Sequence, residues 1–404
     1  MQKIKEGKTA CVAFGYGCSR SRADVVQLYP YLQQNGWRVS NVIKEADLVL
    51  VACCGYKNEI ERRSLKLISH AFRHLKKGAK LVVIGCLAGT SPQKLKEKFG
   101  CIIVPGKDIV MLDQIIDAKV SITEIRDIID HTPLIQQAWQ TFSPRTRLKT
   151  VQFWKRIPER SSYWNHLKIW IRSRLKPSHK DPLYFLRIAK GCMDECSYCA
   201  IRFGSGTLVS KQMENIIEEF HEGLTKGYAR FKLVAGDIGA YGQDIGTNIV
   251  ALFRQLLKQE GNYRFQMNDF NMHYFVKYRE ELLDIIAEHE DRFENISIPI
   301  QSGSDNVLRA MKRRYRASDS LEIIQRFKQV APNVRLSTHI LVGFPGETEE
   351  DHIQTMDFLK ATRFDEILFY IYDDRPGTEA SAMSGKVSPS VARKRRAQLK
   401  EVTS

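Results

Sequence analysis

The sequence predicts an α/β fold, with an N-terminal parallel α/β domain followed by a partial (β/α)6 barrel. Three observations carry that prediction. Short apolar runs bounded by turn residues alternate with amphipathic stretches at both ends of the chain. A single basic, aromatic-rich stretch interrupts the alternation. With 404 residues, 43% of them hydrophobic, the chain can bury a core in each of two or three average domains.

Residues 1–131 form the first unit, with strands predicted at 10–14, 47–52, 81–85 and 101–104 and helical periodicity between them. Residues 132–182 hold eleven Lys or Arg against two acidic residues, and four of the five Trp (Trp139, Trp154, Trp164 and Trp170). Within them, 164–176 reads as a basic amphipathic helix, suited to packing on a neighbouring domain, to gripping RNA or a peptide or, least, to lying on a membrane. Residues 183–385 give six strands, at 184–189, 231–235, 264–268, 296–301, 335–342 and 366–372, each but the last followed by a helical stretch. Right-handed crossovers put all six carboxyl ends on one rim, where β/α barrels place their chemistry. Residues 386–404 complete the chain as a basic helix centred on 391–400.

Lys and Arg number 62 against 46 Asp and Glu, a formal charge of +16 that favours an anionic partner such as RNA, an acidic peptide or an anionic membrane surface. No run reaches the roughly 18 to 20 apolar residues of a membrane span, and the start of the chain lacks a signal-peptide pattern. Nine Cys, unevenly spaced, are too few for a disulfide scaffold, which points to a reducing, cytoplasmic setting and to cysteine as ligand.

The strongest chemical signal is G-C-M-D-E-C-S-Y-C at 191–199, which places Cys192, Cys196 and Cys199 in one loop after the first barrel strand. Soft thiolates select zinc, copper(I) or iron–sulfur clusters, and three ligands on a four-iron cubane leave one iron open to a substrate or cofactor. A structural zinc needs a fourth ligand, and the nearest later candidate, His221, sits in a helical stretch. Cys18, Cys54 and Cys86 each lie at or just beyond the carboxyl end of a predicted strand, the edge where an open α/β sheet gathers its ligands. Cys53, Cys11 and Cys101 read as buried neighbours.

The C-x3-C-x2-C loop, with Tyr198 before its third Cys, resembles the radical S-adenosylmethionine (SAM) superfamily. Further motifs resemble its methylthiotransferase branch: G-A-Y-G-Q-D at 239–244, P-I-Q-S-G-S-D-N-V-L-R-A-M at 299–311, V-G-F-P-G-E-T-E-E-D at 342–351 and R-P-G-T-E-A at 375–380. So do G-Y-G-C, A-D-L-V-L-V-A-C-C and V-I-G-C-L-A-G around the three N-terminal Cys. The resemblance implies two [4Fe-4S] clusters, one on Cys192, Cys196 and Cys199 and an auxiliary one on Cys18, Cys54 and Cys86. It implies SAM as radical source and methyl donor, with an external flavodoxin- or ferredoxin-type electron donor. The reaction it implies replaces an unactivated C–H with C–SCH3 through a 5′-deoxyadenosyl radical, chemistry that a cofactor and not a side chain supplies. Carried over by motif, Tyr198, Gly236, Asp237, Gln301 and Ser302 are the expected cofactor contacts. His339 stands where tRNA-modifying relatives often have Asp.

Members of this branch act on a tRNA adenosine or on a ribosomal-protein side chain, and usually end in a small β-barrel TRAM domain. Fewer than thirty residues follow R-P-G-T here, too few for such a barrel. The segment 205–211, S-G-T-L-V-S-K, stands where tRNA-type relatives carry an Arg-rich stretch. That loss, with G-A-Y-G at 239–242, resembles the protein-modifying branch and favours a peptide or protein substrate, including a ribosomally made peptide with an acidic leader, while Q-S-G-S at 301–304 resembles the tRNA branch. The alternatives are a tRNA adenosine methylthiotransferase, which would use the basic aromatic insertion to hold RNA, and a non-catalytic iron–sulfur redox or binding protein.

Overall fold

The computed structural model describes residues 8–15, 18–126 and 183–403. The proposed boundary near 131, the basic stretch 132–182 and its predicted helix lie outside the described residues.

The N-terminal sheet contains β1 (Thr9–Phe14), β2 (Arg38–Ser40), β3 (Leu48–Ala52), β4 (Lys80–Gly85) and β5 (Ile102–Pro105), in the order β2-β1-β3-β4-β5. All the pairings are parallel. Both faces are covered, which is why the central strands read as unbroken apolar runs: every residue of β1 and β3 is buried. One face packs Val12, Leu50 and Val82 against Leu28 and Tyr31 of α1 (Ser19–Gln34) and Ile116 of α5 (Met111–Ile116). The other packs Ala13, Val49 and Val83 against Leu67 and Ile68 of α2 (Asn58–Arg73) and Leu95 of α4 (Pro92–Phe99). The short α3 (Cys86–Thr90) begins directly at the end of β4. The strand order reverses direction between β1 and β3, so the carboxyl ends of these two strands open the crevice in which such sheets bind ligands. The sequence does not announce β2: three partly exposed edge residues are too few for a period-two signal.

The second sheet contains β6 (Leu183–Arg187), β9 (Arg230–Val234), β10 (Arg264–Met267), β11 (Phe293–Ser297), β12 (Arg335–Val342) and β13 (Glu366–Ile371). Its order is β13-β12-β11-β10-β9-β6, wholly parallel and open between β6 and β13. This is the expected six-stranded partial barrel, around an outer core rich in Phe220, Phe231, Tyr263 and Phe265. Two expected strands differ. The first is cut after Arg187, and Ala189–Lys190 (β7) pairs antiparallel with Val209–Ser210 (β8), bracketing the cysteine loop. The strand expected at 296–301 begins and ends earlier, as β11: Pro299 cannot donate to a ladder, and Gln301, at φ +74°, touches Ile340 through one isolated bridge. The terminal helix spans Pro389–Val402. Among the described residues no helix is long and apolar enough to cross a membrane.

Candidate active site

The three N-terminal cysteines follow three strand ends. Cys18 comes four residues after β1 and precedes α1, Cys54 comes two residues after β3, and Cys86 opens α3. Their thiols are close enough to act on one another's charge, Cys54 on Cys86 and Cys18 on both. Burial pushes Cys54 up to about 11, and burial together with Cys54 pushes Cys86 well above the usual thiol range. Burial would raise Cys18 as well, but the Arg20 guanidinium and hydrogen bonds from Ser21 outweigh it and hold this thiol below its ordinary value. Cys53 points the other way, into the core with Leu87 and Val83, and its backbone bonds Ile84 and Leu87. Cys11 and Cys101 are buried in the same cluster.

The barrel cysteines sit in a loop built by close backbone approach. A Cβ on Gly191, which has φ +70°, would lie 1.8 Å from the Thr207 carbonyl oxygen, and one on Gly236 would lie 1.9 Å from that of Gly191. Gly236 therefore lets the end of β9 press on the cysteine loop, a packing use of the glycine. Burial, then Asp237, pushes Cys192 up to about 12, and burial with Cys196 raises Cys199. Thiols this protonated must lose protons as they take a metal, so loading is easier at higher pH.

Sequence reasoning missed the group that holds this loop. Arg313 is buried, and its guanidinium lies 3.3 Å from Cys196 Sγ while also donating to Asn271 Oδ1 at 3.0 Å and to the Pro299 carbonyl at 3.1 Å. Asp194, inside the cysteine loop, accepts from Arg314 at 2.5 Å and from the Asn271 amide. A single guanidinium thus ties the sulfur of Cys196 to the Asn271 side chain and to the backbone after β11. The only local hint is the K-R-R-Y run at 312–315, which lies more than a hundred residues from the loop.

The five motif-derived positions divide. Tyr198 packs edge-on to Phe344 beside the cysteine loop. Asp237 is buried. Its Oδ1 accepts from the Gly239 and Asn271 backbone amides, its Oδ2 has no hydrogen-bond partner among the described residues, and burial with nearby Asp194 pushes the acid up to about 7. An unsatisfied buried carboxylate oxygen at the end of β9 suits a ligand that donates a proton there. Gln301 and Ser302 belong to a loop knitted to helix Glu349–Thr362. The Ser302 hydroxyl lies 3.2 Å from that of Thr355, Ser304 donates to Asp351 at 2.6 Å, and a Cβ on Gly303 would meet Phe358 at 2.6 Å. In G-F-P-G-E-T, Glu347 accepts from the Gly343 amide and from buried Arg395 of the terminal helix, and Thr348 caps the next helix in a capping box. These motifs thus spend most of their side chains on fixing loops at the rim. His339 on β12 stacks edge-on to Tyr370 of β13, and burial holds it below its ordinary value.

Among the described residues no three Cys, His, Asp or Glu side chains close around a point tightly enough for a single metal ion. Thiolates that each hold a different iron of a cluster stand further apart than ligands sharing one ion, and two soft trios at strand ends fit that donor set. The trios also meet. Arg20 acts on the charge of Cys18, Cys54, Cys86 and, from the barrel, Cys199. A Cβ on Gly89 would lie 2.3 Å from Gly204 Cα, and one on Gly204 would lie 2.9 Å from Cys86 Cα, so the backbone after Cys199 runs directly against the backbone of an N-terminal ligand candidate.

Comparison with known proteins places the chain in a family. Residues 186–359 match the Radical SAM superfamily and residues 11–105 match Uncharacterized protein family UPF0004. The chain is 30% identical over 366 residues to the probable threonylcarbamoyladenosine tRNA methylthiotransferase of Pyrococcus horikoshii, covering 91% of this chain and 77% of that protein. The chain belongs to the radical SAM methylthiotransferase family. It is also 28% identical to MtaB, the threonylcarbamoyladenosine tRNA methylthiotransferase of Thermotoga maritima, covering 96% of this chain and 80% of MtaB. The tRNA-2-methylthio-N(6)-dimethylallyladenosine synthase of Lawsonia intracellularis is 28% identical, at 95% and 80% coverage. In fold, the chain resembles the radical SAM methyltransferase TsrM of Kitasatospora setae, with TM-score 0.62 at 16% identity over 93% of this chain and 75% of TsrM. Family enzymes work with SAM and two [4Fe-4S] clusters.

These relatives give the peptide reading no support. The segment 205–211 on which it leaned lies partly against the N-terminal domain: a Cβ on Gly206 would lie 2.7 Å from Lys107 Cβ and Leu208 is buried, while Thr207 and Val209 are exposed.

Proposed function

We propose that this enzyme methylthiolates an adenosine of tRNA. The observation that carries the reading is identity spread over nine-tenths of the chain with enzymes named for that reaction. In this reading Cys192, Cys196 and Cys199 hold the cluster that works with SAM, and Cys18, Cys54 and Cys86 hold the auxiliary one. When bound, these groups supply radical abstraction of hydrogen and the methylthio unit.

The chain's own residues do the rest. Arg313 donates to the sulfur of Cys196 and, with Asn271, holds the cysteine loop in place. Arg20 neutralises charge where the two trios meet. Lys232 on β9 is half-buried, and burial lowers its pKa while Asp269 opposes that shift. Asp269 acts on the charge of Lys232, Arg20 and His339 alike, so these polar groups belong to one neighbourhood at the barrel rim. The formal +16 suits the polyanionic RNA around that base. The reading takes the enzyme to be cytoplasmic and served by a flavodoxin- or ferredoxin-type reductant.

The test is nucleoside mass spectrometry of tRNA incubated with reduced, iron-loaded enzyme and SAM. A gain of one SCH2 on a modified adenosine is expected. Unmodified tRNA alongside continued 5′-deoxyadenosine release would overturn the reading.

A further inference from the structure

The R-P-G-T-E-A segment touches the backbone beside both Cys54 and Cys196. It begins as a rigid turn: the Thr378 amide donates to the Arg375 carbonyl at 3.2 Å, Pro376 precedes Gly377, and Gly377 has φ +82°. These are the features of a type II turn, in which only glycine takes the third place easily. The Thr378 hydroxyl closes on the same carbonyl at 2.8 Å.

From the front of the turn, Arg375 reaches into the N-terminal domain. Its guanidinium donates to the Gly55 carbonyl at 2.8 Å, to Glu61 Oε2 at 2.7 Å and to Asn58 Oδ1 at 2.9 Å. Gly55 directly follows Cys54. Glu61 and Asn58 lie on α2, and Glu61 is braced by Lys94 at 2.7 Å. Arg375 and Glu61 are 4% and 6% exposed. From the rear of the turn, the Ala380 amide donates to the Ser197 carbonyl at 2.9 Å, between Cys196 and Cys199. Ser197 is pinned in turn, its amide to Met311 and its hydroxyl to Ala310. Six residues therefore run from the backbone beside one ligand candidate to the backbone beside another.

We propose that residues 375–380 are a positioning strap that sets the separation and orientation of the two cysteine loops. The inference rests on the reading that both trios carry clusters, and it names what aligns them. Two physical arguments support it. A buried ion pair adds little stability compared with apolar packing of the same shape, so its better-attested use is to fix one arrangement among several. Arg, with a planar fork of donors, can satisfy a carboxylate, an amide and a carbonyl at once, which a Lys ammonium does with much less directional control. Handing a group from one loop to a carbon oriented by the other needs reacting atoms within about 3.5 Å, and a misplacement of about 1 Å costs roughly a hundredfold. The Gly89–Gly204 contact is a separate tie, so releasing the strap loosens the geometry while the domains stay joined.

Arg375→Ala, Arg375→Lys and Ala380→Pro test this, the last removing one backbone donor while leaving every charge in place. In metal-free protein, hydrogen exchange of peptides covering 53–61 should quicken at least about tenfold in Arg375→Ala, with residues 80–85 of the central sheet unchanged; equal exchange in that peptide overturns the proposal. In the iron-loaded enzyme, 5′-deoxyadenosine release should stay within about twofold of wild type while methylthio product per 5′-deoxyadenosine falls about a hundredfold, with Arg375→Lys in between. An unchanged ratio overturns the strap. If Arg375→Ala does not fold, Ala380→Pro carries the same expectation, with the exchange change moving to residues 196–199. Wild-type enzyme that releases no 5′-deoxyadenosine would sink the cluster reading instead, and the exchange experiment on metal-free protein would still decide the strap.

Discussion

The two cysteine trios reach similar donor sets by opposite routes. The barrel trio is local, held in eight residues of one loop, and it is made rigid from outside by Arg313, Asn271 and Arg314. The N-terminal trio is assembled by the whole sheet, its members spread over 69 residues and brought together only because β1, β3 and β4 are parallel neighbours. A local site can be damaged by one side chain, whereas a site built on a sheet is damaged by whatever moves a strand end.

Replacing one trio at a time should separate the two most sharply. A Cys192, Cys196 and Cys199 to Ala variant should lose about half of roughly eight irons per chain and all 5′-deoxyadenosine. The matching Cys18, Cys54 and Cys86 variant should lose as much iron yet still release 5′-deoxyadenosine, with no methylthio product. Equal loss of both products in the two variants would erase the distinction.

Next in size is the bracing of the local trio. Arg313→Met leaves Asn271 Oδ1 and the Pro299 carbonyl without their buried donor, while Asp194 keeps Arg314, and should cost about 3 kcal/mol in denaturant unfolding of the metal-free protein. Arg314→Ala, at a half-exposed guanidinium, should cost no more than about 1 kcal/mol. A similar cost for both would show that burial of Arg313 is not what secures the loop.

The contact between the trios comes next. Gly89→Ala puts a methyl 2.3 Å from Gly204 Cα, backbone against backbone with no flexible side chain to yield. It should lower stability by about 1–3 kcal/mol and reduce product per 5′-deoxyadenosine. A neutral result would mean that the domains part easily along this line.

The smallest effect is electrostatic and concerns the distributed side. Burial would raise the Glu61 carboxyl, but hydrogen bonds and charge from Lys94 and Arg375 outweigh it and hold it below its ordinary value. A folded-state pKa below the unfolded one gives stability that is complete above the unfolded value and is lost as pH falls through the folded one. Stability should therefore drop on acidification below the usual Glu range, and Glu61→Gln should flatten that limb. An unaltered acid limb would remove Glu61 from the account.

The same contrast explains what the sequence made legible. Strands β1, β3, β4, β12 and β13 were readable because burial on both faces or steady alternation marks them directly, and strand ends located Cys18, Cys54 and Cys86. The edge strand β2 was too short to register, and Pro299 hid the early end of β11. Motif likeness drew attention to Gln301 and Ser302, whose loop is largely occupied in holding helix Glu349–Thr362. Arg313 and the partners of Arg375 stayed invisible because the contacts cross loop or domain boundaries, up to 320 residues apart, where local pattern carries no information.

The central claim is that the two trios carry clusters facing one another across a single site. Pulsed electron paramagnetic resonance of the fully reduced, iron-loaded enzyme tests it directly. Two [4Fe-4S] signals with a resolved dipolar interaction are expected, collapsing to one uncoupled signal when Cys18, Cys54 and Cys86 are replaced. Two full-intensity signals with no interaction, or a single signal in the unaltered enzyme, would contradict it.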